Sequence, residues 1–186
     1  KSVCVFCGSQ AGQLPEYEQA ARELARVLVA HDVGLVYGGG HVGMMGALAD
    51  AMLARGGRVT GVIPHHLMRP EIAHQDLTEL IVVDSMHERK RIMAERSDAF
   101  VALPGGIGTF EEFFEVWTWR QLGYHCKPLG LLNVSGYFDD LLHFIQRSQD
   151  AGFLWVQVVG HDPVILVVGL FGVADHEAAA HHARGA

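Results

Sequence analysis

At the centre of the sequence stands the decapeptide Leu103-Pro104-Gly105-Gly106-Ile107-Gly108-Thr109-Phe110-Glu111-Glu112. The apolar run at residues 99–103 leads into it and predicts a buried strand, and an apolar pattern with helical spacing follows it to about residue 122. The glycines let the backbone turn sharply, and the start of the helix adds unpaired N–H groups and a positive dipole end. The decapeptide therefore predicts an anion site of the kind that holds phosphate.

The decapeptide is not the phosphate loop of a nucleotide triphosphatase. That loop needs a Lys-Ser/Thr pair after its last glycine, whereas Gly108 is followed by Thr109 and Phe110. The lysine and the magnesium-binding hydroxyl that serve phosphoryl transfer are therefore missing. The site is predicted to hold a phosphate group rather than to transfer it.

Strand-like and helix-like patterns alternate along the chain. Short apolar runs at residues 2–7, 34–37, 58–63, 80–83 and 128–132 predict further strands, with helical patterns between them. This alternation predicts an α/β fold with a doubly wound parallel sheet in one domain, residues 1–186. The glycine turns follow strands, at the sheet edge where such folds bind ligands. Residues 155–186 are atypical: either a last strand at 164–168 or a helix from 162 is compatible with them.

Composition narrows the class of protein. The chain has 186 residues, of which 49% are hydrophobic and 19% charged, as in a compact α/β protein. No apolar run reaches membrane-spanning length and no secretory signal is recognisable, so we expect a cytoplasmic protein without a membrane partner. A net charge of −7 argues against a nucleic-acid polymer as partner. Cys4 and Cys7 lie three apart on a strand, so they should face opposite sides as reduced thiols.

A second glycine cluster, residues 38–43, matches G-x-G-x-x-G between a strand and a helix. A dinucleotide fingerprint would follow the first strand and would have an acid at the end of the next one, but here that strand ends at Ile63-Pro64-His65. We interpret Gly39 and Gly40 as a second backbone wall of the phosphate pocket. Close packing of helix on strand remains the alternative, above all for Gly43.

Arg89 is informative because of its position. Ser85 and Glu88 form an S-x-x-E capping box that starts a helix, and Arg89 shares the apolar stripe of that helix with Met86 and Met93. A buried guanidinium needs an anionic or polar partner. We favour the ligand or Glu112 over a core carboxylate, since this helix begins at the same sheet edge. The neighbouring Lys90 has no such signature and is compatible with a solvated lysine.

Glu112 has two possible roles. With Thr109 it forms a T-x-x-E capping box, in which it would only fold back onto the helix start. The helical wheel instead places it between Val116 and Trp119, where an acid beside an anion site can have a shifted pKa and act as a base. Val116 and Trp119 lie opposite the main aromatic stripe, which indicates that a second subunit covers this helix. The main stripe is predicted to be ordinary core: Phe110, Phe113, Phe114 and Trp117.

We predict neither a metal ion nor a cofactor. The twelve histidines include no H-E-x-x-H and no Cys/His framework, and we interpret them as surface residues. Amino-acid decarboxylation would need pyridoxal phosphate on a lysine, and the only lysines are Lys1, Lys90 and Lys127.

Taken together, four motifs resemble those of the LOG (Lonely Guy) family, whose members are often mislabelled lysine decarboxylases. These motifs are the PGGxGTxxE pattern at residues 104–112, MHERK at 86–90, YGGG with GMMG at 37–46, and CGS at 7–9. The resemblance covers about residues 3–153. It implies a Rossmann-like homodimer that hydrolyses the N-glycosidic bond of cytokinin riboside 5′-monophosphates, and often AMP, to free base and ribose 5-phosphate. The alternative on the same fold is a non-catalytic nucleotide or molybdenum-cofactor carrier.

The resemblance also implies roles for individual residues. Arg89 and Glu112 would be the catalytic pair, and residues 106–109 would hold the phosphate. The complete set of expected substrate-binding residues is Ser9, Gly39, Gly40, Glu71, Lys90, Gly105, Gly106, Ile107, Gly108, Thr109, Phe110, Glu111 and Thr118.

Overall fold

The computed structural model describes residues 1–69, 72–154 and 165–168. Within them, strands and helices alternate along most of the chain. The strands are β1 (Ser2–Phe6), β2 (Gly34–Tyr37), β3 (Val59–Pro64), β4 (Glu79–Val83), β5 (Ala99–Ala102), β6 (Leu129–Leu132) and β7 (Ile165–Val168). The helices are α1 (Pro15–Ala30), α2 (Gly43–Leu53), α3 (Met86–Glu95), α4 (Ile107–Gln121) and α5 (Asp139–Asp150).

The strands form one parallel sheet in the order β4-β3-β2-β1-β5-β6-β7. The order reverses at β1, since β2 lies on one side of it and β5 on the other. Such a reversal opens a crevice beyond the carboxyl ends of the two central strands. Here the loops that follow β1 and β5 border that crevice, and Phe6 and Ala102 are paired at the strand ends.

The sheet is covered on both faces, as the alternation of strands and helices predicted. Val5 and Cys7 belong to a core cluster with alanines of α1 and α2, whereas Cys4 and Phe6 belong to a second cluster with aromatic residues of α4. The prediction that the two cysteines face opposite sides is therefore confirmed. Both are free, and burial raises the pKa of each thiol, so both stay protonated.

The predicted elements are present, with ends that differ by a few residues. The expected strand near residue 164 is β7, which pairs with β6, so this one of the two alternatives is confirmed. The remaining atypical residues, 155–164 and 169–186, lie outside the described part of the chain, and the extent of the domain there stays a prediction. Within the described residues, no helix combines the length and the hydropathy needed to cross a bilayer.

The capping box predicted at Ser85 is present with a shifted acid contact. The Ser85 hydroxyl accepts a hydrogen bond from the Glu88 N–H at 3.1 Å, and the Glu88 carboxylate accepts one from the Asp84 N–H at 3.2 Å. Because the cap satisfies an otherwise unpaired N–H, we expect Ser85→Ala to lower the free energy of unfolding by about 1 kcal/mol in urea titrations.

A matched control for the cap is Ser148→Ala, in the interior of α5. The Ser148 hydroxyl donates to the Phe144 carbonyl, an acceptor already used within the helix, and alanine has the higher helix propensity. This control should leave stability unchanged within about 0.5 kcal/mol or raise it. Equal losses for the two variants would contradict a capping role for Ser85.

Candidate active site

The start of α4 forms a backbone cradle at the crevice. Gly106 is the residue that precedes the helix, and the first helical hydrogen bond runs from the Phe110 N–H to the Gly106 carbonyl at 3.2 Å. The N–H groups of Ile107, Gly108 and Thr109 therefore have no acceptor within the helix. A Cβ atom built on Gly106 or Gly108 would meet no described atom within 4 Å, so the fold itself leaves this space open. The cradle has the form that an anion needs for close approach to the backbone.

Gly105 has a different reason to be glycine. Its Cβ would lie 2.1 Å from the Thr109 hydroxyl oxygen and 2.7 Å from the Gly8 nitrogen. The Gly8 N–H also donates to the Pro104 carbonyl at 3.1 Å. Close packing therefore joins the loop after β1 to the loop after β5.

A cleft of about 350 Å³ lies in front of this cradle. It combines a backbone wall with side chains of two chemical kinds. Ser9 and the charged residues Arg89, Glu111 and Glu112 line this cleft. Met45 and Met86 add apolar surface to it. A cleft with convergent polar groups and apolar walls is the usual form of a small-molecule site.

Arg89 is held in the cleft wall by two carbonyl acceptors and an ion pair. Its guanidinium donates to the Val62 carbonyl at 3.0 Å and to the Gly38 carbonyl at 3.3 Å, and it lies 3.4 Å from the Glu112 carboxylate. A Cβ on Gly38 would lie 2.0 Å from the guanidinium, so a glycine is required there to seat the arginine. The expected contact between Arg89 and Glu112 is therefore present.

Glu112 is buried at the back of the cleft, with 12% of its side chain exposed. Its Oε1 atom faces Arg89 but has no hydrogen bond within the described residues. Burial raises the pKa of Glu112 above the ordinary value for glutamate, and the Arg89 charge only partly offsets this. The capping role considered for Glu112 is wrong, because Thr109 is the third residue of α4 and not its cap. Among the described residues, the Glu112 carboxylate therefore has Arg89 as its ion-pair partner and no hydrogen bond at Oε1.

Lys90 is not a solvated lysine. Its side chain is 9% exposed, and its ammonium group lies 2.6 Å from the Glu111 carboxylate and 2.9 Å from that of Glu115. Burial alone would lower the pKa of Lys90, but the two carboxylates outweigh it and raise the pKa above the ordinary value. These two ion pairs tie α3 to α4 next to Glu112. Lys90 and Glu111 are 21 residues apart in the sequence. Arg91, by contrast, is exposed and pairs with Glu95.

The remaining expected residues of α4 divide between the cleft and its surroundings. Ile107 lines the cleft and is 84% exposed, whereas Phe110 is half-buried against the core. Thr118 lies outside the cleft, and its hydroxyl donates to the Phe114 carbonyl at 2.7 Å. Among the stripe predicted to be core, Phe113 and Trp117 are buried but Phe114 is 37% exposed.

The interpretation of Gly39 and Gly40 as a wall of the phosphate pocket is not supported, since neither lines the cleft. The Gly39 carbonyl accepts from the His74 N–H at 3.0 Å, and the Gly40 carbonyl accepts from the Tyr37 hydroxyl at 3.0 Å. Close packing, the alternative left open, explains these glycines: a Cβ on Gly40 would lie 2.7 Å from the Met45 methyl group. Residues 72–74 are held by the bond of His74 to Gly39 and by a hydrogen bond from the His41 N–H to the Ile72 carbonyl. Glu71 lies outside the described residues.

Three side chains bring possible metal ligands together: His41, Asp50 and His74, with donor atoms within 4.8 Å of one another. The His74 Nδ1 atom accepts from the Asp76 N–H at 3.2 Å, so Nε2 carries the proton and donates to Asp50 at 2.9 Å. A metal would need the lone pair of that same nitrogen. The cluster therefore fits a hydrogen-bonded pair and not a metal site. The prediction that the histidines are surface residues is wrong for His74, which is 2% exposed.

One residue near the site had no signal in the sequence. Tyr137, at the turn before α5, donates its hydroxyl to the Gly105 carbonyl at 2.5 Å. No pattern near residue 137 points to a loop 32 residues earlier in the chain.

The sheet order, the crevice at its reversal and the glycine loop before α4 define a Rossmann-like α/β protein with an anion-binding crevice. Residues 45–165 match the family model described as "possible lysine decarboxylase". The chain is 55% identical over 154 residues to the probable cytokinin riboside 5′-monophosphate phosphoribohydrolase LOGL9 of Oryza sativa subsp. japonica, covering 83% of this chain and 68% of that protein. It is 51% identical to cytokinin riboside 5′-monophosphate phosphoribohydrolase LOG2 of Arabidopsis thaliana, covering 83% and 72%. The chain belongs to the LOG family.

Solved structures of lower identity share the fold. The molybdenum cofactor carrier protein of Chlamydomonas reinhardtii is 24% identical, with a TM-score of 0.66 over 90% of this chain and 88% of that one. At this identity the likeness concerns the fold alone.

Proposed function

We propose that the protein hydrolyses the N-glycosidic bond of cytokinin riboside 5′-monophosphates, and of AMP, to free base and ribose 5-phosphate. One observation carries the proposal: the buried Glu112 carboxylate, whose Oε1 has no hydrogen-bond partner among the described residues, lies beside Arg89 in the same cleft as a backbone cradle with open space for an anion. Relatives more than half identical to this chain have names that specify this reaction.

The substrate would lie across the cleft with its 5′-phosphate on the N–H groups of residues 107–109. The apolar side chains of Met45, Met86 and Ile107 line the same cleft and would contact the base and an apolar N6 substituent. The phosphate anchor lies away from the bond that breaks, so its binding energy serves to position the ribose.

The reaction separates charge at the ribose. As the C1′–N9 bond breaks, positive charge develops on the ribose ring, as in glycoside hydrolysis. The ionised Glu112 carboxylate would stabilise this charge and orient the attacking water, whose hydroxyl adds to C1′ while a proton goes to the base. Arg89 would hold Glu112 in place through the ion pair between them.

The proposal extends to the other residues of the family motifs. Substrate contacts beyond the cradle would include Ser9, Glu71, Lys90, Phe110 and Glu111, whereas Gly105 and Thr118, the other two residues that the motifs imply, lie outside this cleft. The whole chain would form one cytoplasmic domain without a nucleic-acid or membrane partner. A second copy would cover α4, where Ile107 and Phe114 are exposed apolar residues and Trp119 is half-buried.

The test is chromatography of the purified protein incubated with AMP and, separately, with N6-isopentenyl-AMP. Free base and ribose 5-phosphate should appear with the wild-type protein and not with Glu112→Gln prepared in parallel, which excludes a contaminating hydrolase. If the nucleotide stayed bound and uncleaved in both incubations, the protein would be a nucleotide carrier and not a hydrolase.

The pH dependence of turnover follows from the burial of Glu112. Since burial raises the pKa of Glu112 in the free protein and the reaction needs the ionised form, kcat/KM should fall as the pH drops through this raised pKa, above the ordinary range for glutamate. The measurement is kcat/KM against pH between about 4 and 9. An acidic limb at the pKa of an exposed glutamate would contradict this role for Glu112.

A further inference from the structure

The loop that carries the cradle has a support outside the cleft. The Tyr137 hydroxyl donates to the Gly105 carbonyl at 2.5 Å, a short hydrogen bond between residues 32 apart in sequence. Tyr137 and Gly105 line a second cavity of about 280 Å³ behind the loop, and neither lines the catalytic cleft. Gly8, Ser9 and Gly106 line both cavities. The Gly105–Gly106 peptide therefore lies where the two cavities meet.

The hydrogen bond determines which way this peptide points. A trans peptide is planar, so its carbonyl and its N–H point in opposite directions. With the Gly105 carbonyl directed at Tyr137 behind the loop, the Gly106 N–H is directed to the other side, that of the cleft. A peptide between two glycines meets little steric resistance to turning over. If it turned over, a carbonyl oxygen would replace an N–H donor beside the phosphate.

The turn before α5 holds Tyr137 firmly enough for this role. Ser135 and Gly136 have positive φ angles of 51° and 73°, and the Phe138 N–H donates to the Asn133 side chain at 2.7 Å. The Tyr137 ring packs edge-on against Tyr17 of α1, with ring centroids 5.8 Å apart.

From these contacts we propose that Tyr137 is a positioning residue for the phosphate: it locks the Gly105–Gly106 peptide in the orientation that turns the Gly106 N–H toward a phosphate monoester. The proposal rests on the proposed function only in placing that phosphate at the start of α4. It adds a specific donor, Gly106 N–H, and a residue that selects for ligands with a 5′-phosphate.

The test compares Tyr137→Phe, which keeps the ring, with Tyr124→Phe, which removes a hydroxyl from an exposed tyrosine. Titration calorimetry with ribose 5-phosphate should show about tenfold weaker binding for Tyr137→Phe, the effect of one hydrogen bond to a charged group, and no change for Tyr124→Phe. Binding of adenine, which has no phosphate, should be equal in all three proteins. In turnover, KM for AMP should rise about tenfold with little change in kcat.

A second readout follows the peptide itself. The Gly106 amide resonance should be single in the wild-type protein with ribose 5-phosphate and broadened by exchange in Tyr137→Phe. Equal ribose 5-phosphate affinity in Tyr137→Phe and wild type would overturn the proposal, as would weaker adenine binding of the same size, which would indicate a general loss of structure. If the wild-type protein bound ribose 5-phosphate but hydrolysed neither AMP nor N6-isopentenyl-AMP, the proposed function would be overturned. The role of Tyr137 would still be decided by the same titration with ribose 5-phosphate.

Discussion

Replacing Glu112 by glutamine should lower kcat by about 10²–10⁴-fold, the range for loss of a positioned acid–base group. Glutamine has nearly the same shape, but it can neither offset positive charge on the ribose nor accept a proton from water. The measurement is release of adenine from AMP under saturating substrate. Glu95→Gln, on the exposed face of α3, removes a carboxylate whose ion-pair partner among the described residues is the surface residue Arg91, and it should leave kcat unchanged. Normal turnover by Glu112→Gln would leave Glu112 without a chemical role.

The effect of the same substitution on stability should depend on pH. Because burial raises the pKa of Glu112, the folded state binds its proton more tightly than the unfolded state, so the stability from this group is full at low pH and is lost as the pH rises through the raised pKa. Glutamine carries no charge and avoids this loss. The melting temperature of Glu112→Gln relative to wild type should therefore be higher at pH 8 than at pH 4. A pH-independent difference would contradict the raised pKa.

Replacing Arg89 by methionine should lower both activity and stability. It removes the charge beside Glu112 and the donors to the Val62 and Gly38 carbonyls. Breaking a buried ion pair costs about 3–5 kcal/mol of unfolding free energy, and loss of positioning should lower kcat about 10²-fold or more. Without the guanidinium, the pKa of Glu112 should rise further, so the acidic limb of the kcat/KM profile should move to higher pH.

Two further variants separate charge from packing at Arg89. In the double variant Arg89→Met/Glu112→Gln no buried charge is left unpaired, so it should be more stable than Arg89→Met alone at neutral pH. Gly38→Ala keeps the arginine but places a methyl group 2.0 Å from its guanidinium, so it should lower kcat by displacing Arg89. Additive stability losses in the double variant, or full activity in Gly38→Ala, would contradict the geometry described for this pair.

The largest structural features could be predicted because they depend on short-range patterns. The run at Gly34–Tyr37 is apolar throughout and bounded by glycine, and it forms β2 with the predicted ends. The glycine loop at residues 104–108 between a strand and a helix indicated an anion cradle, since backbone N–H groups at a helix start are determined locally. The opposite orientation of Cys4 and Cys7 followed from the twofold repeat of a strand alone.

Predictions failed where one local pattern has two solutions. T-x-x-E at Thr109 is a valid capping box, but the residue that precedes the helix is Gly106, three positions earlier. G-x-G-x-x-G at residues 38–43 is compatible with phosphate binding, but what matters is the group that occupies the space of the missing Cβ. At Gly38 that group is the Arg89 side chain, 51 residues away.

The sequence by itself determined the alternation of strands and helices, the cradle at α4 and the candidate acid Glu112, because each depends on neighbours within a few residues. Only the tertiary structure decided which residues meet across the sheet. Lys90 lies between Glu111 and Glu115, His74 bonds to Asp50, and Tyr137 supports Gly105. These contacts join residues 21 to 32 apart, and they exist because the sheet order brings separate elements to one edge. The state of Glu112 also depends on the tertiary structure. Because the packed chain buries this side chain, its Oε1 has no hydrogen-bond partner among the described residues and its pKa is raised.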